Sequence, residues 1–171
     1  MMKISKIILL LCLFFPLLCF GETADVNVCF TPGERCDLRL IETIGSAKSM
    51  IEVQAYQLTS KPIQNALVRA YQRGIKVEVI LDKSQLHGRG YPPAIYFHNM
   101  HVPTWIDTKP AIAHNKVMII DEKEVITGSY NYSRAAQYRN AENMVIIISP
   151  HIASQYQRNF DYRLSQSRQV D

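Results

Sequence analysis

The sequence predicts a single α/β domain in which a mostly parallel or mixed central β-sheet carries helices on both faces. Apolar segments with the period of strands alternate with amphipathic helical segments, in the order β-α-β-α-β, through the first half of the chain. The composition, with 47% hydrophobic and 20% charged residues in a chain of 171, is that of a globular protein with a core. This composition excludes an intrinsically disordered chain.

The elements of the first half follow from their periodicity and from the residues that bound them. The predicted order is strand 26–30, helix 37–48, strand 50–56, helix 61–73 and strand 75–81. Pro62 suits the first turn of the second helix, and Gly74 suits its end. Because strands joined by crossover helices usually run parallel, this half predicts a largely parallel sheet.

The second half opens with an irregular stretch, residues 82–113, that contains two glycines and four prolines. Only residues 94–100 suit a helical turn or two, so we expect a long functional loop. Beyond it the pattern predicts strands at 116–120 and 124–127, a short helix near 133–138, a strand at 143–148 and a helix from Pro150 to about 165. No internal repeat or domain linker interrupts the chain.

The first 21 residues have the layout of a secretory signal peptide. Lys3 and Lys6 precede an uncharged apolar run of 14 residues, 7–20, and the small Gly21 follows it. Fourteen helical residues span about 21 Å, which is less than the roughly 30 Å hydrocarbon core of a bilayer. We therefore expect a signal peptide at 1–21, a mature domain at 22–171 and a periplasmic or secreted location. An uncleaved N-terminal membrane anchor is the alternative.

Charge and cysteine content constrain the mature chain. Loss of Lys3 and Lys6 lowers the formal net charge from +4 to +2, so net charge argues only weakly for a polyanionic partner. Cys29 and Cys36 flank a turn-like Thr-Pro-Gly sequence, and in an oxidising compartment they could form a disulfide. Two unrelated thiols are the alternative, and two cysteines alone do not make a zinc site.

The most informative segment is residues 114–131. It reads His114, any residue, Lys116, four residues, Asp121, six residues, and then Gly128, Ser129, any residue and Asn131. Six specified residues at fixed offsets arise by chance in about one chain per million. This segment resembles the signature of the phospholipase D superfamily. Together with the β-α-β-α-β run and residues 140–143, it resembles the small bacterial Nuc-type endonucleases of that superfamily.

The spacing of the signature suits the binding of a phosphodiester. Residues two apart on a strand face the same side, so His114 and Lys116 should project together. Gly128 lets the backbone approach a ligand, and the side chains of Ser129 and Asn131 can donate hydrogen bonds to phosphate oxygens. Lys116, Ser129 and Asn131 would thus form an electrostatic cradle for the substrate phosphate, with no metal and no cofactor required. Asn131 or Ser133 could also cap the helix that follows.

The resemblance implies covalent catalysis by His114, which attacks phosphorus and becomes a phosphohistidine. A second histidine, which in the superfamily comes from a second copy of the motif, protonates the leaving oxygen and later activates water. This chain has one copy, so we expect a homodimer that shares one site. The resemblance also implies that Glu142 sits behind His114 and accepts its Nδ1 proton. Asp121 is a further catalytic candidate, and a role in holding its turn is the alternative.

The signature defines the bond that is cleaved better than it defines the substrate. A small domain with no obvious amphipathic membrane helix suits a polymer backbone better than a lipid headgroup, so a nuclease acting on DNA and/or RNA is expected. A secreted phospholipase D and a non-catalytic nucleic-acid-binding protein are the alternatives. Ser129 lacks the Gly-x-Ser-x-Gly elbow of a serine hydrolase, and His98 with His101 lacks an evident third metal ligand. Six residues could either guide a nucleic-acid backbone or form a solvated surface: Lys83, His87, Arg89, Tyr91, Arg134 and Arg139.

Overall fold

The computed structural model of the chain describes residues 22–87 and 90–170. Segment 1–21, on which the signal peptide and the membrane anchor were predicted, lies outside the described residues, and so does Arg89. Within the described ranges, none of the helices has the length and apolar character needed to cross a bilayer.

The described part of the chain contains eight strands and five helices. The strands are β1 (Asp25–Thr31), β2 (Met50–Ala55), β3 (Lys76–Asp82), β4 (Thr104–Asp107), β5 (Lys116–Ile120), β6 (Glu124–Gly128), β7 (Glu142–Ile148) and β8 (Arg168–Gln169). The helices are α1 (Cys36–Ser46), α2 (Lys61–Gln72), α3 (Pro93–Asn99), α4 (Arg134–Tyr138) and α5 (Pro150–Ser165). A 3-10 turn, Lys83–Leu86, follows β3.

All eight strands form one mixed sheet in the order β1-β7-β6-β5-β2-β3-β4-β8, which confirms the mixed α/β prediction. The expectation of a largely parallel sheet is corrected, because only β2, β3 and β4 pair in parallel. β1 crosses to the far edge and pairs antiparallel with β7, so that Val26 opposes Ile147 and Val28 opposes Val145. Strand neighbours depend on such cross-strand side-chain pairs, which the order of elements along the chain does not determine.

Helices cover both faces of the sheet, as predicted. One face packs against α1 to α4 in a cluster that includes Leu40, Leu67 and Phe97. The other face packs against α5, whose Ala153 and Phe160 contact a smaller cluster on the central strands. Every residue of β2 and β5 is buried, as expected of strands covered on both sides.

The stretch 82–113 is more ordered than its sequence suggests. It contains the 3-10 turn, α3 and β4, and β4 pairs in parallel with β3. The helical turns predicted at 94–100 are confirmed by α3, whereas the irregular loop predicted for the rest is wrong at the 3-10 turn and at β4, because these segments are too short to show a period. Asp82 ends β3, and its carboxylate accepts a hydrogen bond of 2.8 Å from the backbone N–H of Ala113. That bond fixes the chain directly before the motif.

Cys29 and Cys36 form a disulfide, with their Cα atoms 5.7 Å apart. The alternative of two unrelated thiols is excluded. The bond joins β1 to the first residue of α1, so the edge strand is covalently fastened to the helical layer.

Candidate active site

The strand order brings the two halves of the motif together. Lys116 begins β5, Gly128 ends β6 and Glu142 begins β7, and these strands are adjacent and antiparallel. The start of β5, the end of β6 and the start of β7 therefore meet at one end of the sheet. They border a polar cleft of about 580 Å³, which we call the active cleft; its lining includes His114, Lys116, Ser129, Asn131, Glu142 and Tyr156.

His114 and Lys116 project together, and their side chains are in contact. Lys116 Nζ lies 3.0 Å from His114 Nδ1 and donates a hydrogen bond of 2.6 Å to the His114 carbonyl oxygen. The ring of Tyr56 lies 4.6 Å from the His114 ring between centroids, and Lys116 Nζ lies 5.1 Å from the Tyr56 centroid. Tyr56 was not identified from the sequence. It follows β2, whose last residue, Ala55, pairs with Lys116, and nothing in the local sequence indicates this neighbour.

The charge on Lys116 depends on two opposed effects. The side chain is only 7% exposed, and burial lowers the pKa of the Lys116 ammonium below its ordinary value. The nearby Glu142 carboxylate acts in the opposite direction and raises the pKa in part. Glu142 thus favours the protonated form of Lys116.

The carboxylate of Glu142 is bonded to neighbours other than the histidine. Ser129 Oγ donates a hydrogen bond of 2.6 Å to Glu142 Oε2, and Asn140 Nδ2 donates one of 2.9 Å to Oε1. The expected contact between Glu142 and His114 Nδ1 is not made within this chain, because Lys116 Nζ occupies that position. Ser129 also accepts a hydrogen bond of 3.0 Å from the backbone N–H of Asn143, which holds its hydroxyl at the cleft.

The backbone at the end of β6 requires glycine. Gly128 has a φ of +136°, and a Cβ at this position would lie 2.4 Å from the carbonyl oxygen of Asn143. After it, Ser133 rather than Asn131 caps α4, by accepting a hydrogen bond of 3.2 Å from Ala136 N–H. Asn131 lines the cleft, and its Oδ1 has no hydrogen-bond partner among the described residues.

Asp121 does not lie with the other candidate residues. It follows the far end of β5, about 16 Å from Lys116 at the usual rise of a strand. Its carboxylate accepts hydrogen bonds from the backbone N–H groups of Lys48, Ser49 and Met50 at 2.9, 2.8 and 3.1 Å. Burial raises the pKa of Asp121, but these donors outweigh it and hold the pKa below its ordinary value. These contacts and the position of Asp121 outside the active cleft favour the alternative role of holding the turn over a catalytic role.

The histidine pair considered as metal ligands lies outside the active cleft. His98 is on α3, and His101 is in the turn after it with a φ of +60°. Among the described residues, the cluster that combines three metal-ligand side chains is Cys29, Glu34 and Cys36. The two sulfurs of that cluster are bonded to each other and offer no thiolate.

Comparison with known proteins places this geometry among phospholipase D-like domains. A family model described as "Cardiolipin synthase, PLD-like domain" matches residues 40–164. A phospholipase D of Rickettsia prowazekii is 39% identical over 147 residues, which cover 86% of this chain and 71% of the relative. Among solved structures, the phospholipase D family member Nuc from Salmonella typhimurium matches with a TM-score of 0.80 and 32% identity, over 86% of this chain and 99% of that one. NucT from Helicobacter pylori matches in fold with a TM-score of 0.76 at 24% identity, over 86% and 100% of the two chains.

Proposed function

The chain belongs to the phospholipase D superfamily of phosphodiesterases, and we propose that it is an exported, metal-independent nuclease that cleaves DNA and/or RNA through a phosphohistidine at His114. The observation that carries the proposal is the contact between His114 and Lys116 in a cleft that also holds Ser129 and Asn131. Export rests on the predicted signal peptide at 1–21.

In the first step, the imidazole Nε2 of His114 attacks phosphorus while the bond to the leaving oxygen breaks. In the free chain, Lys116 Nζ lies against Nδ1. When a phosphodiester binds, its anionic oxygens can accept hydrogen bonds from the Lys116 ammonium in place of Nδ1. The imidazole can then hold its proton on Nδ1 and leave Nε2 free. Lys116, Ser129 and Asn131 stabilise the charge that builds on the phosphate oxygens.

The first step also requires a second group that protonates the leaving oxygen as its bond to phosphorus breaks, and in the second step the same group, now without its proton, removes a proton from water. The activated water attacks the phosphohistidine and releases His114. We assign this role to the partner subunit's His114, because the sequence contains one copy of the motif. The site is incomplete without the second copy.

An apolar surface beside the cleft supports the dimer. Val26, Val28 and Phe30, which we call the β1 stripe, are 53%, 48% and 53% exposed. Phe30 pairs with Asn143 of β7. Side chains two apart on a strand share a face, so Asn143 lies on the same sheet face as Val145. Val145 in turn pairs with Thr127, which lines the cleft. The stripe therefore continues from the active cleft on one sheet face, and a second copy bound there would approach the first copy's site.

The nature of the cleft favours a nucleic acid over a lipid. Its lining carries the polar groups of His114, Lys116 and Ser129, and it is open to solvent, as a polymer backbone requires. α5, the longest described helix, uses Ala153 and Phe160 to pack on the sheet rather than to contact a bilayer. The Rickettsia relative is named a phospholipase D, so a secreted phospholipase D is the second candidate. A nucleic-acid-binding protein without activity is the third.

A substrate panel in EDTA tests the proposal. The purified protein is incubated with plasmid DNA, a single-stranded oligonucleotide, RNA and labelled phospholipid vesicles. We expect the nucleic acids to be cleaved by the wild type and by His98→Ala, an exposed histidine outside the cleft, and not by His114→Ala. Turnover of lipid alone would favour the phospholipase, and tight binding of DNA without cleavage would favour the binding protein.

A further inference from the structure

A second cavity of about 490 Å³ lies next to the active cleft. The two share a wall, because Tyr56 lines this cavity and its ring lies 4.6 Å from that of His114, which lines the cleft. We call it the tyrosine cavity; its lining includes Tyr56, Lys61, Gln64, Gln85 and Tyr91. Its volume is within the range of ordinary small-ligand sites, which is about 300 to 1,000 Å³.

One wall of the tyrosine cavity offers an aromatic face beside a cation. Tyr91 is 50% exposed, and its ring packs edge-on against the ring of Tyr96 at 6.2 Å between centroids. Asn99 donates a hydrogen bond to the Tyr91 hydroxyl, which further fixes the ring. Lys61 Nζ lies 5.6 Å from the Tyr91 centroid and 4.5 Å from that of Tyr96. An oriented aromatic ring next to an ammonium is the arrangement with which proteins hold a stacked base and its phosphate.

The lining also contains a buried amide with an unused acceptor. Gln64 is 1% exposed, and its Nε2 donates a hydrogen bond of 2.6 Å to the Leu58 carbonyl oxygen. Gln64 Oε1 has no hydrogen-bond partner among the residues that the structure describes. An unpaired buried acceptor is costly, so it points to a ligand that donates. The exocyclic amino groups of adenine, cytosine and guanine are such donors.

We propose that the tyrosine cavity binds one unpaired nucleotide adjacent to the scissile phosphate, with its base stacked on Tyr91, its N–H groups towards Gln64 and its phosphate near Lys61. This inference rests on the proposed nuclease function and extends it to a substrate class. A base in a duplex has both faces covered by its neighbours, so it must leave the stack to reach Tyr91. The enzyme therefore acts on single-stranded segments in preference to intact duplex.

The proposal is tested by combining an enzyme variant with a substrate that lacks one base. The substrates are a single-stranded oligonucleotide, the same oligonucleotide with an abasic nucleotide placed in turn on each side of the cleaved bond, and bis(p-nitrophenyl) phosphate. Tyr91→Ala should lower kcat/KM for the intact oligonucleotide by between about five- and 150-fold, the range that base stacking gives, mainly through KM. When the abasic nucleotide occupies the position that enters the tyrosine cavity, on one side of the cleaved bond, Tyr91→Ala should no longer lower kcat/KM relative to the wild type.

Two further variants isolate the stacking contribution. Tyr91→Phe keeps the aromatic face and should retain most of the activity that Tyr91→Ala loses. Tyr162→Ala removes a tyrosine on α5 that is 59% exposed and does not line the cavity, so it should leave the preference for the intact oligonucleotide unchanged. For Tyr91→Ala, the ratio of activity on the oligonucleotide to activity on bis(p-nitrophenyl) phosphate should fall.

The possible failures are distinguishable. A wild type that cleaves no nucleic acid would overturn the nuclease function and the cavity assignment together. Cleavage of nucleic acid in which Tyr91→Ala has equal effects on intact and abasic oligonucleotides would overturn the cavity assignment alone. An equal loss on bis(p-nitrophenyl) phosphate, or a loss confined to phospholipid vesicles, would also overturn it, since the cavity would then support the catalytic groups or a lipid headgroup.

Discussion

Lys116 is the residue on which the electrostatics of the cleft depend. It must carry a positive charge to bind a phosphodiester, yet it is buried, and burial lowers its pKa. The carboxylate of Glu142, oriented by Ser129 and Asn140, partly compensates for this burial. Glu142 can thus assist the reaction through Lys116 without contacting His114 of the same chain.

The first prediction follows from this dependence. In Glu142→Gln the carboxylate charge is lost, so the pKa of Lys116 should fall further and the ammonium should lose its proton at a lower pH. We expect the alkaline limb of the profile of kcat/KM against pH to move to lower pH. Glu122→Gln, at an exposed position of the turn between β5 and β6, is the matched control and should leave that limb in place. An unchanged limb in Glu142→Gln would contradict the coupling.

A second prediction concerns Glu52, a buried residue of β2 far from the motif in sequence. Burial raises the pKa of its carboxyl to about 7, the Glu78 and Asp161 carboxylates add to the increase, and Lys76 opposes it. The folded chain therefore binds this proton more tightly than the unfolded chain does. The contribution of Glu52 to the free energy of unfolding should be greatest below the pKa that its carboxyl has in the unfolded chain. This contribution should fall as pH rises from about 4.5 to about 7.

The variant Glu52→Gln tests the direction of this pH dependence of stability. The variant should be more stable than the wild type at pH 8 and nearly equal to it near pH 4.5, with the difference at pH 8 limited to about 2–3 kcal/mol. Urea denaturation at both pH values measures it. The exposed Glu42→Gln, on α1, is the control. Equal stability of Glu52→Gln and wild type at pH 8 would contradict the raised pKa.

At the scale of elements, hydrophobic periodicity predicted the longer helices and strands and missed the shortest strands. The pattern predicted α5 and β5 at the bounds that the structure has, because long or strongly apolar segments carry clear signals. β4 and β8 have four and two residues, too few for a period, and they form because the adjacent strand offers free backbone groups. The antiparallel position of β1 also depends on distant pairing partners.

In the candidate site, too, local sequence patterns predicted some neighbours and missed those that depend on distant strand pairing. The motif spacing was enough to bring His114, Lys116 and Ser129 into one cleft, since strand alternation and one hairpin determine that proximity. Tyr56 reaches His114 only through the pairing of β2 with β5, which no local pattern reveals. Asp121 shares the motif but lies beyond the other end of β5, so a shared sequence signature did not mean a shared location.

A third prediction concerns the connection that Asp121 makes between the β5–β6 turn and the start of β2. Asp121→Asn removes the charge that three backbone N–H groups share, and we expect the free energy of unfolding at pH 7 to fall by about 1–3 kcal/mol. Because the pKa of Asp121 is lowered, its contribution is present at neutral pH and is lost as pH falls through that pKa. The difference from wild type should therefore shrink in acid.

Chemical denaturation at pH 7 and pH 3 measures this difference, and Glu122→Gln in the same turn is the control. The catalytic rate per folded molecule should fall far less than it does in His114→Ala. A loss of rate as large as that of His114→Ala, with unchanged stability, would return Asp121 to the catalytic residues.

At the scale of the whole molecule, the proposed mechanism needs two chains, and one face of the sheet is suited to join them. The β1 stripe lies at the sheet edge nearest to the cleft, and no described helix covers it. Cys29 lies between Val28 and Phe30 in β1, and its disulfide with Cys36 fastens this strand to α1. The disulfide therefore gives the proposed interface a fixed backbone.

The fourth prediction is that Val28→Glu disrupts the dimer and the activity together. A carboxylate in the centre of an apolar interface would be desolvated without a partner, which opposes association. Light scattering after size-exclusion chromatography should show a monomer, and activity on bis(p-nitrophenyl) phosphate should be lost while the thermal transition persists. Leu38→Glu, at a similarly exposed apolar position on α1, should leave both properties intact. A dimer that survives Val28→Glu would exclude this face.

The fifth prediction tests whether two histidines form one site. Wild-type and His114→Ala chains are refolded together in different proportions, above the concentration at which dimers form. If each site needs both copies of His114, heterodimers are inactive, and activity should follow the square of the wild-type fraction. An equal mixture should then have about a quarter of the activity of an all-wild-type sample at the same total chain concentration, as expected of a site on a two-fold axis. A complete site in each chain would retain about half. A linear response, or full activity from a monomer, would contradict the shared site while leaving the phosphohistidine chemistry of a single chain intact.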